Sequence, residues 1–195
     1  VSLNAYQAAF ERTWTEATPI TFRGQTETAS WWRGLAWASR QPDNAIAHAV
    51  VAHGGADFWD PCCPQDTRRA NLNAYDEALL SVENVTARDA PFGLAVHPDS
   101  ELTAFGDNEF SNHEDASVAV SALHLGALDG ATTYGDVVLV RGSRVEDDAT
   151  WPALDVAYTF AAEQDAIVTG GATVTIEPGA RLEFREDAGL AARGD

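Results

Sequence analysis

Leu72-Asn73-Ala74-Tyr75-Asp76-Glu77-Ala78-Leu79-Leu80-Ser81-Val82 is the stretch on which the fold class turns. Its apolar residues Leu72, Tyr75, Leu79 and Val82 are spaced three, four and three apart, the period of one helix face. The spacing predicts a helix over 72–84. A matching stripe lies near the start, where Leu3, Tyr6, Phe10 and Trp14 are spaced three, four and four apart. That predicts a second helix over 2–15, with Ser2 as its cap and Pro19 forbidding continuation. If both are helices the chain is α+β; if neither is, it is all-β.

Outward from these stripes the chain reads as strands. Ile20–Arg23 alternates, and 29–39 and 45–53 read as longer strands separated by Gln41-Pro42-Asp43-Asn44. A helix over 45–53, closed by Gly54-Gly55, is the alternative there. Strands follow at 117–125, 136–140 and 154–160. In the last of these, Leu154, Val156, Tyr158 and Phe160 share one face. Val174 and Ile176 answer Leu182 and Phe184 across Glu177-Pro178-Gly179-Ala180, the pattern of a hairpin within 166–185. Residues 187–195 are small and polar and read as a flexible tail.

The expected fold is therefore α+β, an antiparallel strand-rich sheet or sandwich with two short helices over a single domain, 1–186. The alternative is an all-β jelly-roll sandwich. Leu3-Asn4-Ala5-Tyr6 returns as Leu72-Asn73-Ala74-Tyr75, and each copy precedes a Pro-led strand (Pro19-Ile20, Pro91-Phe92). An internal duplication, 3–71 and 72–161, would account for this.

Composition excludes whole classes of function. The 195 residues carry 30 Asp+Glu against 12 Lys+Arg, a formal net charge of −18, and every basic residue is Arg. Sequence-specific nucleic-acid binding needs a basic surface, and an anionic membrane would repel the chain. No apolar run is long enough for a spanning helix, and the first residues lack the apolar centre of a signal peptide. A hydrophobic fraction of 45% with six Trp belongs to a folded protein, not to an acidic tail. Such a charge is self-repelling in dilute buffer, whereas ~1 M salt cuts the screening length to ~3 Å. The lack of Lys, the acidity and the abundance of Ala point to a halophile. An ordinary acidic protein from a GC-rich genome is the alternative.

Candidate chemistry is sparse. The two cysteines, Cys62 and Cys63, are adjacent, so they cannot join distant segments and lack partners at zinc-ligand spacing. No phosphate loop, nucleophile elbow or paired-histidine metal motif occurs. His48 and His53 are five apart, a poor chelating interval, and read as one partly exposed and one buried histidine. Asp147-Asp148 and Glu186-Asp187 read as surface pairs. Acidic loop 97–115 offers the weak candidates for a structural cation: Asp99, Asp107, Glu109, His113 and Asp115. Without a cation it is a solvated acidic loop. Asn84-Val85-Thr86 is a lone glycosylation sequon. Trp31 and Trp32 are adjacent, so on a strand one faces out; with Trp59 they are the candidate interface residues. No catalytic residue and no cofactor is assigned.

The order helix, three strands, loop, helix, further strands resembles the tail-terminator (tail-completion) proteins of long-tailed viruses. Thr18-Pro19-Ile20-Thr21-Phe22 resembles the entry to that family's first strand, and Trp151-Pro152-Ala153-Leu154-Asp155-Val156-Ala157-Tyr158 its late Trp-led strand. The chain departs from that family in its length and in the added residues 162–186. The resemblance implies a non-enzymatic virion subunit of tail-terminator, capsid or decoration type. Such a subunit assembles with copies of itself and with other virion proteins into a symmetric ring or shell. Two other expectations stand beside it. One is an extracellular carbohydrate- or surface-binding module using exposed Trp; the other is a small metal-dependent β-barrel enzyme. The matching locations are the virion, the exterior, or the cytoplasm of a halophile. Because the subunits all carry negative charge, any self-assembly should loosen on dilution into low salt. Sedimentation across a salt series checks this, and tighter association at low salt contradicts it.

Overall fold

The computed structural model describes residues 3–6, 18–56 and 69–194. Its organising feature is that all fourteen strand ladders among the described residues are parallel. Each strand pairs with one roughly a turn of chain further on, so the chain winds as a β-solenoid. The main sheet runs through β1 (Leu3–Tyr6), β3 (Leu35–Ala38), β5 (Ala70–Ala74), β6 (Leu79–Val96), β8 (Glu109–Ser121), β10 (Val138–Arg141), β13 (Tyr158–Phe160) and β16 (Leu182–Phe184). A second face joins β2 (Ile20–Arg23), β4 (Ala45–Ala52), the middle of β6, the start of β8, and β9 (Thr133–Tyr134). β7 (Glu101–Gly106) pairs with the start of β6.

Later turns add β11 (Ser143–Val145), β14 (Asp165–Val168) and β17 (Gly189–Ala192) as a three-stranded sheet. β12 (Ala149–Trp151) and β15 (Val174–Ile176) form a pair. A 3-10 turn, Ala122–Ala127, follows β8 and is the one helical element among the described residues.

Register puts like on like. Leu3, Leu35, Leu72, Leu94, Val118, Val138, Tyr158 and Leu182 are successive partners along the main sheet. From Leu72 onward each turn takes 20–24 residues. Leu35 through Tyr158 in this column are buried in one core. Phe105, Phe110 and Tyr134 stack beside it, with ring centroids 6.2 Å apart for the first pair and 6.1 Å for the second. Parallel strands need a crossover connection, and here the remaining faces of each turn provide it.

Corners fall where the backbone enters the left-handed region. His48, Asn84 and Asp107 (φ 48°, 55° and 52°) occupy one corner in three successive turns. His53, Asp89 and Asn112 (φ 63°, 57° and 56°) occupy the next corner, five residues on. Asn and Asp tolerate this conformation better than most side-chain-bearing residues. Buried amides then fasten turn to turn. Asn108 accepts from Val85 N and donates to Val82 O, and Asn71 accepts from Gly54 N and donates to Arg88 O.

These findings correct the expected fold. The sheet is parallel rather than antiparallel, so neither the α+β sandwich nor the jelly roll is present. The predicted helix over 72–84 is two strands around a tight bend. Asp76 and Glu77 both have positive φ (57° and 61°), and Ala78 N–H closes the bend on Tyr75 O. Leu72, Ala74, Ala78, Leu80 and Val82 point inward at period two. Leu80 is the core residue, and Leu79, which completed the helical stripe, is only half-buried. The predicted helix over 2–15 is strand at Leu3–Tyr6, and its remainder lies outside the described residues. Residues 45–52 are strand.

Val174–Ile176 and Leu182–Phe184 are not a hairpin. Each pairs with the preceding turn, β15 on β12 and β16 on β13. The expected tail from 187 contains β17, paired along its length with β14. The repeated Leu-Asn-Ala-Tyr falls on one face two turns apart, through Leu3–Leu35–Leu72.

Packing this regular predicts sharp local costs. A Cβ on Gly93 would lie 2.4 Å from Phe110 Cδ1 and 2.5 Å from Ser117 O. Gly93→Ala should therefore destabilise by about 1–3 kcal/mol through overpacking. Leu94→Ala should cost about 2–5 kcal/mol through the cavity it leaves. The exposed control Arg144→Ala should stay within about 0.5 kcal/mol. Urea unfolding in high salt measures all three.

Candidate functional site

The second corner borders a polar cleft. The chain between β2 and β3 passes over it, with Ser30 N bonded to Gly54 O and Trp31 N to His53 O, both at 3.0 Å. Between this overpass and the corner lies a cleft of about 680 Å³. Glu27 and Ala29 line it from the overpass; His53, Arg88, Asp89, Asn112, His113 and Glu114 line it from the solenoid.

Each polar side chain is set by its place on the turn. Asp89 accepts hydrogen bonds from Arg88 Nη1 and Asn112 Nδ2, and His53 Nε2 stands 3.6 Å from Asp89 Oδ2. Burial works against the Asp89 carboxylate, but the Asn112 hydrogen bond and the charge and hydrogen bond of Arg88 outweigh it. His53 adds to them, and the Asp89 pKa falls below the ordinary 3.8. His113 is buried at the cleft floor, with Nδ1 3.2 Å from Ala90 O and Nε2 3.1 Å from Ala87 O. Burial holds its pKa below 6.5, although the carbonyls of Ala90 and Ala87 pull the other way. A neutral ring has one N–H, so it donates to only one of those two carbonyls.

Trp31 stands at this overpass with 52% of its surface exposed. Trp32 is half-buried and donates Nε1–H to Ala52 O at 2.8 Å. Of the expected outward and inward pair, Trp31 is the outward one. They sit on a bend before β3 rather than on a strand. Trp59 and the cysteines lie outside the described residues.

The five cation candidates are dispersed. Asp99, at the bend after β6, pairs with His97 Nδ1 at 2.7 Å and accepts from Ser100 Oγ. Burial raises its pKa, but the His97 hydrogen bond and charge bring it below 3.8. Asp107 and Glu109 are exposed beside a smaller hollow of about 260 Å³, with His48 and Asn84. His113 lies in the main cleft, and Asp115 is exposed elsewhere on β8. Among the described residues no three His, Cys, Asp or Glu side chains converge as metal ligands. Nor is any helix there long and apolar enough to cross a membrane. Asp147, Asp148, Glu186 and Asp187 are exposed, as expected of surface pairs.

Arg88, Asp89, Asn112 and Glu27 escaped the reading of the sequence. The available signal was a polar pair at fixed spacing, Asn84 with Asp89, returning 23 residues on as Asp107 with Asn112. The chain has no match among protein-family models, curated proteins or solved structures.

Two of the three buried histidines, His113 and His124, make stability depend on pH. Burial also holds His124, which sits in the 3-10 turn, below 6.5. Both rings stay neutral in the fold and protonate more readily when unfolded. The stability they support is present above pH 6.5 and is lost as pH falls through the lower folded-state values. The melting temperature should therefore drop between pH 7.5 and 5.5, above the range where most carboxylates titrate. His124→Gln should flatten that slope. NMR titration should place both midpoints below 6.5, and a melting temperature that rises on acidification contradicts the assignment.

Proposed function

We propose that this chain is a non-catalytic binding module for a neutral, hydroxyl-rich ligand, an oligosaccharide, held in the cleft at the second corner. The observation that carries the reading is a polar cleft whose overpass, lining it with Glu27 and Ala29, also carries the exposed Trp31. An aromatic face covers the apolar side of a sugar ring, while Arg88, Asn112, Glu27 and Glu114 offer hydrogen-bond partners to its hydroxyls. The charge of −18 disfavours phosphorylated or otherwise anionic ligands. Repeated turns supply a rigid flank along which successive sugar units can lie.

A binding role fits the chemistry better than glycoside cleavage. Cleavage by a carboxylate pair needs one member held protonated near neutrality. Asp89 is shifted in the opposite direction, and the His113 nitrogens face main-chain carbonyls. A virion structural subunit from a halophilic system is the second reading, in which the exposed Trp31 would be an interface residue.

Glycan-array screening in high salt, followed by calorimetry, tests the binding module. Trp31→Ala and Arg88→Gln should each weaken binding about tenfold, roughly 1.4 kcal/mol, without changing the melting temperature by more than a few degrees. Failure to bind any glycan on a broad panel, with the protein folded, rejects the proposal.

A further inference from the structure

The sequon Asn84-Val85-Thr86 lies on the first corner, away from the cleft. Of the six asparagines whose surroundings are described, Asn84 stands apart from the other five. Asn44, Asn71, Asn73 and Asn108 are buried, and each donates its amide N–H to a main-chain carbonyl. Asn112 is exposed but donates to Asp89. Asn84 is exposed, and its side chain makes no hydrogen bond to any described residue. Among the seven asparagines of the chain it is also the one followed, two residues on, by Thr or Ser. The asparagine that the fold leaves unused is thus the one that carries an acceptor sequence.

The corner presents that sequence in a usable form. Val85 and Ala87 are buried, so Thr86 between them faces outward. Asn84 and Thr86 line the same open hollow of about 260 Å³, with Pro19, His48, Asp107 and Glu109 around them. A transferase can therefore reach the amide and the hydroxyl from one side, while Val85 anchors the segment from below. Asn84 sits where the chain turns, at φ 55°, so an attached group projects from a corner rather than lying across a ladder. Surface position and the lack of a competing hydrogen bond suit a bulky, solvated modification. No residue lines both this hollow and the cleft.

We infer that Asn84 is an N-glycosylation site, which takes its glycan from a lipid-phosphate-linked oligosaccharide. In the transfer, Asn84 Nδ2 bonds to the anomeric carbon of the first sugar. The bond from that carbon to the phosphate oxygen breaks, and the lipid phosphate leaves with the electron pair. The amide gives up one proton to a base of the transferase. Such transfer belongs to exported chains, so an occupied Asn84 would also assign the protein to the exterior. The modification stands or falls independently of ligand binding in the cleft. Mass spectrometry of the chain recovered from its own cells tests it. Cleavage after Arg69 and Arg88 yields peptide 70–88, which holds Asn71, Asn73 and Asn84. Fragmentation should place a sugar mass on Asn84 and none on Asn71 or Asn73. Produced in the same cells, Asn84→Asp and Thr86→Ala should each lose that mass entirely. Asp tolerates the left-handed corner, and circular dichroism checks that each variant folds. Should neither fold, the peptide map of the unsubstituted chain decides alone. An unoccupied Asn84, a sugar mass placed on another residue instead, or one that persists in either folded variant would each overturn the proposal.

Discussion

The rest of the structure depends on one constraint: each strand must sit in parallel register on the strand one turn before it. Parallel ladders fix the backbone groups only if successive turns agree in phase, and a slip by one residue would exchange inner and outer side chains. The column from Leu35 through Leu72, Leu94, Val118 and Val138 to Tyr158 is the side-chain expression of that phase. Each apolar residue is covered above and below by its counterpart, so burial comes from stacking rather than from a second layer folding over a first. Left-handed corners serve the same constraint, because they turn the chain without using up the residues that must stay in phase.

Much of the strand content was legible in the sequence, and the architecture was not. Ile20–Arg23 and Ala45–Ala52 alternate or carry β-branched residues, and they are strands. What failed was the choice of period. Leu72, Tyr75, Leu79 and Val82 fit a helix as well as Leu72, Ala74, Leu80 and Val82 fit two strands around a bend. Alanine serves both patterns, so an Ala-rich chain blurs the distinction. The deciding residues were Asp76 and Glu77, adjacent in the left-handed region, which Asp tolerates but which a Glu does not announce. A four-residue spacer such as Glu177–Ala180 likewise fits a hairpin as well as a solenoid corner. Only the long-range partners separate the two, and these are not local properties of the chain.

The cleft was still less legible. Its residues come from three separated stretches, Glu27, His53 and 88–114, brought together by winding. Asp89 and Asn112 are where they are because a corner needs residues that tolerate positive φ, and their polarity then faces the overpass. Corner chemistry and surface chemistry coincide, which explains how a chain without a recognisable motif still concentrates hydrogen-bonding groups. His113 was singled out as a weak cation candidate. It is a buried corner-side residue facing main-chain carbonyls, whereas its neighbours in sequence, Glu114 and Asp115, are exposed.

The spacing along the column bears on how such a protein can change over time. Leu35 and Leu72 are direct partners although 37 residues separate them, whereas the next steps take 22 and 24. Phase is therefore kept by the paired strands alone, and the length between them is free to vary. Added or lost segments between strands leave the ladder intact, and within a strand a single extra residue is taken up as a bulge, as in the β6–β7 and β6–β8 pairs. A lineage built on this plan can gain new loops and whole new turns while its inner column stays nearly constant, so variation should concentrate in the segments between paired strands.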